Sequence, residues 1–371
     1  TNSELTKLAK FNFIKNSTQG LYQQILLSTA SNGQLDLFHT LKPFQSFTAS
    51  CFESLNDQAL SKFDTRSKAL SSGILEGFYL LKKNPGIDST LHPDILNSTI
   101  NQVIAGELIA TAGNTMNREM TILATTREWT SAILAQSKNS NIIDDLRFSA
   151  NAFSTAIATS DEKTDKLKLL QLVSQGILSG IIDFDKTSTS KSMHRSEFIA
   201  TVSSGMFDSI TTIKGEEDLS TLSSAIYKGY GKGIQTSIEN NLLLKEILFA
   251  IVQYLSKAQH ILADDKFGIM QNATATLFRS AITHIFEQNF SDGDIGDSID
   301  QLTLLLLEIP FQGPIISQKS YSTIKSLSTG YSKAFTSAIL KDNQLNNRDF
   351  VDLIDRFAKS WIKQLPKLAK S

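Results

Sequence analysis

Of 371 residues only one is a cysteine, Cys51 in the stretch FTASCFESL, so no disulfide can form within the chain. Cysteine usage therefore gives no direct sign of an oxidising compartment, and Cys51 reads as a small apolar thiol packed in a core. An excess of charge is lacking too. With 36 basic against 37 acidic side chains the formal net charge is -1, which excludes a long-range field drawing the chain to nucleic acid or an anionic membrane. Neither is expected as a partner. Prolines number six, at Pro43, Pro85, Pro93, Pro310, Pro314 and Pro366, and none falls between 94 and 309, so long helices are permitted there. No uninterrupted apolar run approaches the roughly 18 residues of a membrane span. Even the apolar-rich stretch LTLLLLEI at 302–309 is broken by Thr303 and Glu308, and a soluble chain is expected. The chain opens TNSEL, with no initiator Met and no leader pattern, which suggests a processed product or a slice of a longer polypeptide.

What is present is helical patterning. Leu167, Leu169, Leu170, Leu172, Val173, Ile177 and Ile181 recur at helical spacing, and no long window shows the strict alternation of a half-buried strand. Pro93 fits the first turn of a helix, and SIDQ at 298–301 has the form of a capping box. The expected fold is all-α, a bundle of about fourteen short antiparallel helices.

One unit is written repeatedly along the chain: an apolar anchor, small residues beside it, then a polar connector. The anchors are Ile74, Trp129, Phe153, Ile177, Met206, Tyr230, Phe278 and Phe335, with a weaker copy at Tyr254. From Trp129 onward the spacings are 24, 24, 29 and 24 residues, then 24 to Tyr254 and 24 to Phe278. A period of that length predicts about 17 residues of helix with a six- or seven-residue connector, and places successive helices side by side. Small pairs flank the anchors on one face: Gly73 and Gly77, Ala152 and Ala156, Gly176 and Gly180, Gly205 and Ser209, Gly229 and Gly233, Ala334 and Ala338. Such faces predict close helix approach, needed to offset the roughly 1 kcal/mol that a mid-helix glycine loses. Correspondences near an offset of 182, such as Phe153 with Phe335 and Leu21 with Met206, suggest two seven-helix halves, 1–185 and 186–371.

Chemistry-bearing patterns are scarce. GYGKG at 229–233 has glycine-x-glycine spacing, but no strand precedes it to form a phosphate loop. His39, His92, His194, His260 and His284 are scattered, without metal-ligand spacing. Asp292, Asp294, Asp297 and Asp300 in SDGDIGDSID depart from calcium-loop spacing and read as a solvated connector. IDDLR at 143–147 lacks the third carboxylate that a magnesium diphosphate site requires. Sequons stand at Asn16, Asn97, Asn272 and Asn289, in a composition rich enough in Ser, Thr and Asn to produce them by chance. No residue is assigned a catalytic, cofactor-binding or metal-binding role, and neither an enzyme activity nor a small-molecule substrate is expected.

The stretch YSKAFTSAILKDNQLNNRDF at 331–350 resembles the helix-plus-connector unit of spider aciniform (wrapping) silk proteins. DKLKLLQLVSQGILSGI at 165–181 and HRSEFIATVSSGMFDSI at 194–210 are similar to helices of spidroin domains, and the likeness runs over residues 66–350. Polyalanine blocks and Gly-Gly-x runs are missing, and charged residues reach 20%, which departs from many spidroins. The resemblance implies one repeat unit of a large secreted fibre protein, stored as a soluble helical globule and spun with partial conversion to β-structure. It also implies extracellular location in gland lumen and fibre, and self-association with identical units and other silk proteins. The rival reading is a helical-repeat scaffold or adaptor.

Overall fold

The computed structural model describes residues 2–30, 37–53, 60–85, 87–136, 142–160, 166–187, 195–213, 216–237, 269–287 and 328–337, and single positions between 351 and 362. Among these residues the fold is all-α, with no strand. The helices are α1 (Asn2–Ala30), α2 (Leu37–Glu53), α3 (Leu60–Lys82), α4 (His92–Ala110), α5 (Thr115–Ala135), α6 (Ile142–Thr159), α7 (Lys166–Thr187), α8 (Arg195–Ile213), α9 (Glu216–Ser237) and α10 (Ile269–Glu287), with a short 3-10 helix at Ser89–Leu91. Residues 328–337 are also helical. The expected count of about fourteen extends to positions outside the described residues, as do Tyr254, the Asp292–Asp300 run and the capping box at 298–301.

Local chemistry accounts for several helix ends. Pro93 occupies the first turn of α4, where its missing N–H would have had no partner anyway. Asn114 caps α5, its side chain accepting from the Asn117 N–H at 3.0 Å. The turn before it is carried by Gly113 at φ 82°, a left-handed conformation that glycine adopts without a Cβ clash. The run from Leu167 to Ile181 forms most of α7, with Leu169, Leu170, Val173, Ile177 and Ile181 buried and Leu167 exposed.

Two compact units divide the chain. The first comprises residues 1–191 and 201–214, the second 192–200 and 215–371, so the division passes through α8. In the first unit the most extensive packing joins helices two apart: α1 with α3, α3 with α5, α5 with α7, α2 with α4, and α4 with α6. Gly205 of α8 meets Arg147 and Ala150 of α6 in the same manner. Successive helices thus alternate between two rows. Contacts between consecutive helices are sparser, which differs from the side-by-side arrangement that short connectors led one to expect.

Direction within a row follows from the contacts. Gly73 lies against Lys15 and Thr18 while Gly77 lies against Gln19 and Tyr22, so α1 and α3 run parallel. Gly176 against Leu123 and Thr126, and Gly180 against Arg127 and Thr130, show the same for α5 and α7. The reason is steric. Backbones joined through glycine approach more closely than a pair separated by large side chains, so the small faces select the partner. In the second unit α9 packs on α10, with Gly231 against Ser280.

Candidate functional site

The recurring anchor and its small neighbours form one structural device. On α3, α7 and α8 the glycine faces the helix two before, and the next residue, Ile74, Ile177 or Met206, points into the core. One position along a helix is about 100° of rotation, enough to turn from the partner within the row towards the space between rows. Trp129, Phe153, Tyr230 and Phe278 are likewise buried, and Phe335 is 3% exposed. Between rows the anchors touch: the Trp129 and Phe153 rings meet edge to face at 5.6 Å, and Trp129 Nε1 donates to Ser149 Oγ at 3.2 Å.

The partner of each glycine repeats too. A Cβ placed on Gly73 would lie 2.4 Å from the Lys15 carbonyl oxygen, on Gly106 2.5 Å from that of Gln45, on Gly180 2.5 Å from that of Arg127, and on Gly205 2.2 Å from that of Arg147. Three residues after each carbonyl stands Thr18, Thr48, Thr130 or Ala150, whose Cβ completes the contact. Thr18, Thr126 and Thr130 satisfy their hydroxyls on their own helices, donating to the Ile14 carbonyl at 2.6 Å, to Ile122 at 2.8 Å and to Thr126 at 2.8 Å, whereas the buried Thr48 hydroxyl has no hydrogen-bond partner among the described residues. The sequence pattern missed Gly106 and Gly231. On α9 it singled out Gly229 and Gly233, both buried, whereas the described contact falls on Gly231 between them.

Besides the ion pairs of Arg127 with Asp64, Glu128 and Asp183, titratable groups are buried in two places within the first unit. Asp145 of α6, buried, accepts from Lys82 Nζ at 2.9 and 3.0 Å and from the Tyr79 hydroxyl at 3.0 Å. Lys82 Nζ lies 5.3 Å from the Phe78 ring centroid, and the His92 ring packs edge-on to Phe78 at 6.2 Å. Burial, with the Asp145 charge and hydrogen bond, holds the Tyr79 hydroxyl well above its ordinary pKa. Burial and the Lys82 charge push His92 below the ordinary histidine value. The second place is Glu107 of α4, fully buried. Thr125 donates to its Oε1, and Ser67 Oγ lies 3.1 Å from Thr125 Oγ1. Burial drives the Glu107 carboxyl well above the usual range, and the Thr125 hydrogen bond opposes this only in part.

The residues weighed from sequence are not brought together. In IDDLR, Asp145 is turned inward to Lys82 while Asp144 is exposed, so the two carboxylates do not converge on one ion. His284 is buried in α10, and the side chains of His39, His194 and His260 lie outside the described residues. Among the described residues no cluster of three His, Cys, Asp or Glu side chains could hold a metal ion. GYGKG lies within the continuous helix α9. Cys51 is half-buried, and burial pushes its thiol up to about 11 against a smaller pull from Arg66.

Asn16 and Asn272 are exposed and Asn97 half-buried, but their sequon partners Thr18, Thr274 and Thr99 are fully buried in helices; Asn289 lies outside the described residues. Three of the four triplets are thus explained by helix packing. The stretch Lys166–Phe184 of α7 is long and apolar enough to cross a membrane, and 67% of that window is buried, as in the core helix of a bundle. No family model matches the chain, and no curated protein does either.

Proposed function

We propose that the chain is a structural repeat unit of a large secreted fibre protein, similar to aciniform silk spidroins, stored dissolved as a helical globule and assembled into fibre with partial conversion to β-structure. The observation that carries this reading is the recurrence of one contact, glycine on a carbonyl and a Thr or Ala, on α3, α4, α7 and α8. It is a device for stacking helices, and it supports a mechanical role. The polar clusters suit that role as well, since Asp145 and Glu107 are sealed among helices and do not line an open cleft. No catalytic role and no cofactor belong to the proposal. Its partners are identical units and other silk proteins, and neither nucleic acid nor a membrane. The finer architecture, about fourteen short helices in two seven-helix halves at 1–185 and 186–371, is proposed from the anchor spacing, with consecutive helices antiparallel and the packed helices two apart parallel.

Buried Thr, Ile and Phe residues supply the means of conversion. They are good β-formers held in helices by packing, so dehydration and shear that loosen the packing release their local preference. Infrared amide spectra of concentrated protein before and after drawing test this. Growth of β-signal with retained helix is expected, and absence of fibres under conditions that spin other spidroin repeats rejects the proposal.

A helical-repeat scaffold is the second reading, favoured by the two rows of the first unit. An α-repeat array also extends by stacking each helix on the one two before. Stable capture of one protein partner by dilute protein that forms no fibres would move this reading ahead.

A further inference from the structure

The glycine contacts of the first unit share a second regularity, carried by charge. Lys15, whose carbonyl receives Gly73, turns its ammonium to Glu76 at 2.5 Å, and Glu76 stands three residues after that glycine. Arg127, beneath Gly180, reaches Asp183 at 3.8 Å, and Arg147, beneath Gly205, reaches Asp208 at 2.6 Å. Both acids again lie three residues after the glycine. The other glycines resting on a carbonyl in this unit lack both charges together: Gly77 lies on Gln19 with Leu80 three residues on, Gly106 on Gln45 with Ile109, and Gly176 on Leu123 with Ser179. Acids are only 37 of 371 residues, so composition alone does not place one at each cationic contact and none at the neutral ones.

What the ion pair adds is register. Gly73 and Gly77 lie one turn apart, as do Gly176 and Gly180, so sliding α3 along α1, or α7 along α5, by four residues lays a glycine on a carbonyl again. The buried residues of α1 return at the same interval, at Thr18, Tyr22 and Leu26. The slide breaks the ion pair, however: with Gly77 on Lys15, Leu80 takes the place of Glu76, and with Gly176 on Arg127, Ser179 takes that of Asp183. Partly exposed pairs of this kind contribute little to stability as such. Their effect lies in the difference between registers, because the wrong one parts the two charges.

We infer that the cation on the carbonyl and the acid three residues after the glycine together set the register of the stacked helices. The glycine supplies the close approach, and the ion pair chooses the level at which it is made. The inference goes beyond the proposed function and holds for a fibre unit and for a scaffold alike.

The test moves charges by one turn without changing composition. It uses the full chain with Cys51→Ser and nitroxide labels attached through Gln24→Cys of α1 and Lys68→Cys of α3, both exposed positions. Glu76→Leu with Leu80→Glu puts the acid three residues after Gly77 while the cation stays at Lys15. Double electron-electron resonance should then show, beside the distance of the unaltered chain, a second one in at least about a tenth of the molecules. Its displacement should match a four-residue slide, about 6 Å along the axis. Adding Lys15→Gln with Gln19→Lys moves the cation to the carbonyl on which Gly77 already rests, and the single original distance should return. A chain with the moved acid that fails to fold, beside a doubly moved chain that folds, supports the inference in the same way. One unchanged distance after the acid alone is moved, a second distance that persists once the cation follows, or failure of both chains to fold would overturn it. Fibre formation is not read, so the proposed function stands or falls on its own test.

Discussion

Gly180 of α7 sits so close to α5 that a Cβ on it would lie 2.5 Å from the Arg127 carbonyl oxygen and 2.9 Å from the Thr130 Cβ. The nearest obstacle is backbone, which cannot swing aside as the tip of a side chain can. Gly180→Ala is therefore expected to destabilise the chain by about 1 to 3 kcal/mol through overpacking, and Gly180→Leu by more. Gly20→Ala, placed in open space, is expected to stabilise by up to about 1 kcal/mol through helix propensity. Urea denaturation of the variants reads both signs, and equal midpoints would show that the close contact contributes nothing.

Glu107 makes stability depend on pH in a definite sense. Its folded pKa is raised from 4.5 by burial, so the folded chain holds a proton that the unfolded chain releases. The stabilisation is complete below about pH 4.5 and declines as pH rises towards the folded pKa, by at most about 1.4 kcal/mol per pH unit. Glu107→Gln, which keeps the shape and cannot ionise, should remove that slope from unfolding free energies measured between pH 5 and 8. A slope left intact by the substitution would locate the titration elsewhere.

Asp145 joins α6 to α3 through Lys82 and Tyr79. Asp145→Ala strands a largely buried ammonium, 15% exposed, and is expected to cost about 3 to 5 kcal/mol. Removing both charges with Asp145→Leu and Lys82→Met should recover most of the loss, because the penalty lies in the uncompensated charge. Chemical denaturation of the single and double variants gives the coupling. Additive losses would show that the two side chains act independently.

Cys51 should be a slow nucleophile. With the thiol at about 11 rather than the ordinary 9.0, its thiolate fraction at pH 8 falls about a hundredfold. Iodoacetamide alkylation of the native chain should lag that of the urea-unfolded chain by at least this factor. Equal rates would mean that the α2 segment around Cys51 opens readily.

The sequence by itself determined that the protein is helical, because proline is absent over the central stretch and apolar residues return every three or four positions. It also determined which faces would be small: Gly73, Gly77, Gly176, Gly180 and Gly205 all meet backbone of another helix, as their spacing required. Which helix each face meets was decided only in three dimensions. Periodicity is a property of one helix, while the choice between a neighbour in sequence and the helix two away depends on which backbone can lie in the groove without a clash. For the same reason Gly106 and the Cβ atoms of Thr18, Thr48 and Thr130 gained meaning only beside their partners. Asp145 and Glu107 are the clearest case. Each reads in sequence as an ordinary polar residue, and only folding, by stripping water from one carboxyl beside Lys82 and from the other beside Thr125, made one an ion-pair partner and the other a proton holder.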